Sequence, residues 1–145
     1  MATQTDTVTT DVSWHSGVLS GLAGTTAMTA LMLAMGATPV IAGAIPGLYG
    51  LAPPANPLAG IAVHLSHGAI LGVGLAAIAG ATGLTEPKQL VGAEVVYGVA
   101  TWVVLAALLM PVWLRILWFP NAPPSLLWHV TYGVVAGVSL GSVDL

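Results

Sequence analysis

Three of the four histidines, His64, His67 and His129, fall in runs that are otherwise apolar. The twelve residues from His64 to Leu75 align without gaps onto the twelve from His129 to Leu140. In that register His64 matches His129, His67 matches Tyr132, Gly68 matches Gly133 and Gly72 matches Gly137. Residues four apart share one helical face, so His64 lies on a stripe with Gly60, Gly68 and Gly72. His129 lies on a stripe with Ser125, Gly133, Gly137 and Gly141. Two imidazoles at one depth on neighbouring helices suit three kinds of chemistry. With His67 as a third ligand they can hold zinc or copper. As an axial pair they can hold a b-type haem, the glycines leaving room for the macrocycle. Without any cofactor they can hydrogen-bond across a helix interface, to backbone carbonyls or loop residues, and this cofactor-free state is the expected one.

Glu94 is the one acidic residue inside an apolar run, an interfacial group or a buried neutral acid. Ser20, Thr25, Thr26 and Thr29 offer hydroxyls for a polar path, although hydroxyls also serve ordinary helix packing in lipid. Other chemistries lack their residues. There is no cysteine, hence no disulfide, thiolate site or cysteine nucleophile. Lys88 and Arg115 are the only Lys or Arg residues, too few for nucleic acid or a polybasic lipid patch. No catalytic triad spacing, phosphate-binding glycine loop or carboxylate pair is present, so the expectation is a protein without enzymatic activity.

The elements that position these residues follow from the scarcity of charge. Charged residues make up 5% of the 145, against about 25% in soluble domains. No charged residue occurs from Val12 to Thr85, or from Ile116 to Val143. A bilayer core needs roughly 20 apolar residues as helix. The hydropathy pattern gives four spans, at about 14–37, 58–81, 90–114 and 124–143. The fold class expected is an all-α membrane protein, one four-helix bundle over 14–145 behind a polar tail, 1–13. That tail lacks the basic start of a secretory signal. Proline clusters precede both histidine runs, so the bundle reads as a duplicated helix-loop-helix. Two spans per copy would set a pseudo-twofold axis along the membrane normal.

The stripes of Gly68, Gly72, Gly133, Gly137 and Gly141 let helix backbones approach closely. The loop at 38–57 is apolar but rich in helix breakers, and irregular backbone cannot face lipid. It therefore lies at the interface or folds over the bundle as a lid. Trp113, Trp118, Phe119 and Trp128 read as an aromatic belt beside a snorkelling Arg115. Lys88 in a short turn places both termini in the cytoplasm of a multi-pass protein in the cell membrane.

The run LYG in the first loop, the helices HLSHGAILG and HVTYGVVAG, and VYGVATWVVLAALLMPVWL resemble small four-helix membrane proteins of halophilic archaea, a family of unknown function. The Thr- and Asp-rich tail agrees with that origin. The resemblance implies a fold and a compartment, and no activity. Two functions are expected: an accessory or scaffold protein packing through its glycine stripes, as a homo-oligomer or in a larger membrane complex, or a metal- or haem-binding redox or transport component using the histidines.

Overall fold

The computed structural model describes residues 13–84, 86–110 and 122–143. It is an all-α membrane protein with four apolar helices long enough to span a bilayer. These are α1, Trp14–Ala34; α2, Pro57–Thr82; α3, Pro87–Leu109; and α4, Ala122–Val143. At 1.5 Å per residue, α3's 23 residues reach across a hydrocarbon core.

Local chemistry sets the ends. Ser13 caps α1, its Oγ accepting from the backbone N–H groups of His15 and Ser16. Asn56 caps α2 by accepting from the Ala59 N–H, with Pro57 in the first turn where its missing N–H costs nothing. Gly83 closes α2 in a left-handed conformation, φ 69°, open to glycine without strain. The first span stops at Ala34, three residues short of the expected 37, because the chain turns through Gly36 at φ 78°. The third starts at Pro87 instead of 90, since proline serves as well as a helix start as it does in a turn. Its expected end at 114, like Trp113, Arg115, Trp118 and Phe119, lies outside the described residues. From Trp102 to Leu109 the hydrogen bonding of α3 is of π type.

All four helices are apolar all round, so residue size decides which face turns inward. Lipid is as apolar as leucine and gives large side chains no reason to hide. Ile70 and Val96 are 69% and 70% exposed, whereas Ser20, Gly21, Gly68, Gly72 and Gly98 are buried. A Cβ on Gly17 would stand 2.7 Å from the Gly72 carbonyl oxygen, and one on Gly21 would overlap the Gly68 carbonyl, so α1 and α2 meet backbone to backbone. A Cβ on Gly98 would lie 2.5 Å from the His129 carbonyl, and one on Gly133 2.5 Å from that of Glu94. These contacts close α3 onto α4.

The helices pack in the lateral order α2, α1, α4, α3. The inner helices α1 and α4 pack along each other, while α2 and α3 barely touch. A twofold along the membrane normal would pair α2 with α3 as closely as α1 with α4. The outer pair stays apart instead, leaving a gap.

Candidate functional site: an intramembrane cavity between the outer helices

The gap is a cavity of about 530 Å³, within the range of small-molecule sites. Its floor is α1 and α4, with Met28, Met32 and Tyr132. One wall is α2 and the other the π-type part of α3, and the 38–57 loop closes one end with Leu48 and Tyr49. π-type turns recur at functional sites, and here they carry Trp102, Leu105 and Ala106 into the cavity. The Trp102 indole N–H donates to the Ser125 hydroxyl at 2.9 Å, tying α3 to α4 beside the site.

His64 and His129 both line this cavity. The buried His64 has its Nδ1 2.9 Å from Thr29 Oγ1 on α1. The single hydroxyl proton of Thr29 is already given to the Thr25 carbonyl at 2.7 Å. With that proton on the carbonyl, Thr29 is set to accept, which assigns the proton of a neutral His64 ring to Nδ1. His129 Nδ1 lies 2.8 Å from the Ser125 carbonyl, which can only accept, so its ring carries the proton on Nδ1 as well. The network thus assigns one tautomer to both rings. Each Nε2 is left with a bare lone pair, and no hydrogen bond within the described residues engages it. Fixing Nδ1–H on an oxygen so that Nε2 can donate electrons is how proteins orient ligating imidazoles.

His67 lines the cavity too but turns to the loop, its Nε2 bonded to the Tyr49 hydroxyl. Among the described residues no three His, Asp or Glu side chains gather as a metal ion would need. The expected trio of His64, His67 and His129 is thus two rings with bare Nε2 atoms and one engaged by tyrosine. The loop is seated on α2: Gly60 meets the Ile41 carbonyl backbone to backbone, Ile45 and Pro46 are buried, and the Asn56 N–H donates to the Ala42 carbonyl at 2.7 Å.

Glu94 sits away from the cavity wall, fully buried in the α3–α4 seam, with no hydrogen-bond partner on either oxygen among the described residues. Gly137 makes room for it, since a Cβ there would lie 3.1 Å from Glu94 Cβ and Cγ. Gly141 is looser, its nearest neighbour being Leu90 Cδ1 at 3.5 Å. Ser20 and Thr25 give their protons to carbonyls of their own helix. Trp128, expected in the interfacial belt, is buried, its N–H 3.2 Å from Met35 Sδ. Sequence reasoning missed Thr29 and Tyr49 as partners of the histidines. Thr29 shares a helical face with Gly21 and Thr25, four residues apart, and that spacing was the available signal.

Comparison with protein-family models, with curated proteins and with solved structures finds no match to this chain. Function must therefore be argued from the site.

Proposed function

We propose that this is a non-catalytic membrane protein that holds a lipophilic ligand in the cavity and meets the ligand's polar centre with Nε2 of His64 and His129. The observation that carries the reading is the pair of Nδ1 contacts, His64 to Thr29 Oγ1 and His129 to the Ser125 carbonyl, on two rings that line one apolar cavity; the tautomer they support leaves a lone pair on each Nε2. Such a pair selects an electron-poor partner, either a metal centre or hydrogen-bond donors, and rejects anions. A b-type haem is the ligand we favour, because two imidazoles from different helices could hold its iron and the cavity lining is mostly apolar. The absence of acid partners at either Nδ1 argues against general-base chemistry, in which a carboxylate commonly orients the ring.

The accessory or scaffold reading relied on the glycine stripes as docking faces. Gly68, Gly72, Gly133 and Gly137 are covered by helices of the same chain, so a second copy or a larger complex would have to use the bulky outer faces instead. In this reading α1–α2 and α3–α4 are two copies of one hairpin, each closed by glycine. Four crossings put Ser13 and Val143 on the same side as Lys88, which the positive-inside bias assigns to the cytoplasm. The His64–His129 end then faces outward.

Titrating detergent-solubilised protein with haem b tests the proposal. The expected result is a low-spin spectrum at one haem per chain, lost in His64→Ala and in His129→Ala and kept in His67→Ala. Protein that binds no haem and releases no lipophilic molecule into organic extract would refute it.

A further inference from the structure

Glu94 presents a separate problem. It is 0% exposed on α3, and neither carboxyl oxygen has a hydrogen-bond partner among the described residues. Its surroundings are backbone and small residues: Gly133 meets its carbonyl, and Gly137 its Cβ and Cγ. Tyr97 on its own helix and Tyr132 on α4 are the titratable side chains within electrostatic reach. Neither is bonded to it, and the Tyr132 hydroxyl is directed to the Gly68 carbonyl at 3.4 Å. A buried acceptor pair of this kind needs either a bound cation or a proton of its own. Hard cations take about six or more oxygen ligands. Gly133 and Gly137, which pack against Glu94, carry no side-chain oxygen, and among the described residues no three His, Asp or Glu side chains gather around an ion site. A proton needs one oxygen.

We propose that Glu94 is a proton-binding site within the membrane, placed one helical turn from the level of His129. The register fixes that placement. Gly98 packs on the His129 carbonyl, and Glu94 is four residues, about 6 Å, further along α3. Tyr132 lines the cavity and also lies within electrostatic reach of Glu94. The inference rests on the surroundings of the carboxyl and not on the cavity's occupant.

The test is reaction of wild-type protein in phosphatidylcholine vesicles with dicyclohexylcarbodiimide at mildly alkaline pH. The acid proton passes to a carbodiimide nitrogen and the carboxylate oxygen adds to the central carbon. The O-acylisourea then rearranges, moving the acyl group to nitrogen, to a stable N-acylurea seen by peptide mass. The expected adduct is on Glu94, absent from the exposed Glu86, and unchanged by added sodium chloride. An unlabelled Glu94, or labelling suppressed by sodium, overturns the proposal. Neither result depends on whether a ligand binds at His64 and His129.

Discussion

Thr29→Val removes one oxygen and keeps the shape of the side chain. In the native protein that oxygen accepts from His64 Nδ1 at 2.9 Å and donates to the Thr25 carbonyl at 2.7 Å. With valine the buried Nδ1–H loses its acceptor. An orphaned buried donor costs about 1–3 kcal/mol. Side-chain hydrogen bonds between membrane helices average about 0.6 and reach about 1.7 kcal/mol, because the separated helices find other partners. The imidazole has a cheaper response. Moving its proton to Nε2 leaves a bare acceptor beside a methyl group instead of a bare donor. Stability should then fall by only about 1 kcal/mol. Binding suffers more, because Nε2 no longer offers a lone pair; loss of such supporting partners typically weakens metal binding about 10–100-fold. Nitrogen-15 NMR of the imidazoles, with haem titration, reads both effects. Wild-type protein should show Nδ1–H rings at His64 and His129, and Thr29→Val should change His64 alone. A native His64 with its proton on Nε2 would refute the tautomer assignment and the ligand argument with it.

Other substitutions probe the parts around the site. Gly72→Ala drives a Cβ into the Gly17 carbonyl and the Gly21 backbone and should destabilise by about 1–3 kcal/mol. Gly80→Ala meets nothing within 4 Å and should be neutral or stabilising by up to about 1 kcal/mol; unfolding in mixed micelles compares the two, and equal effects would contradict the backbone-to-backbone seam. Tyr49→Phe removes the His67 bond without changing ring packing, and should speed hydrogen exchange in the 38–56 loop while leaving α2 protected. Asn56→Ala loses the α2 cap and should cost about 1 kcal/mol by the same unfolding assay.

The spans were legible because the bilayer demands long charge-free helices, and the sequence has few charges to place elsewhere. The inward face of α2 was legible too, since His64, Gly68 and Gly72 recur at four-residue spacing among larger neighbours. The lateral order of the helices was not. Every helix is apolar on all sides, so hydropathy cannot tell the close α1–α4 contact from the sparse α2–α3 contact. The cavity is a consequence of that order and has no sequence pattern of its own. Trp128 shows the same limit: its N–H finds Met35, a partner 93 residues away, and a tryptophan near a span end otherwise reads as interfacial. Thr29 looked like its neighbours Thr25 and Thr26, which serve their own helix. Only the register of α1 on α2 sets it opposite His64.

The cavity itself bears on what the protein does. In a water-soluble core an empty space of about 530 Å³ would cost roughly 24 cal/mol per Å³, on the order of 13 kcal/mol. That is as much as the whole stability of an ordinary domain, about 5–15 kcal/mol. No such penalty applies between α2 and α3 in a bilayer, where an acyl chain can fill the gap and no hydrophobic force pulls the helices together. The space therefore persists and is filled, by lipid or by something that binds better than lipid. An acyl chain offers nothing to a nitrogen lone pair, and His64 and His129 each present one to the cavity wall. A ligand with a metal centre or hydrogen-bond donors satisfies both rings while covering the same apolar surface. The two histidines, set by a threonine and a backbone carbonyl, thus turn a packing gap that lipid could occupy into a site that prefers a particular chemistry.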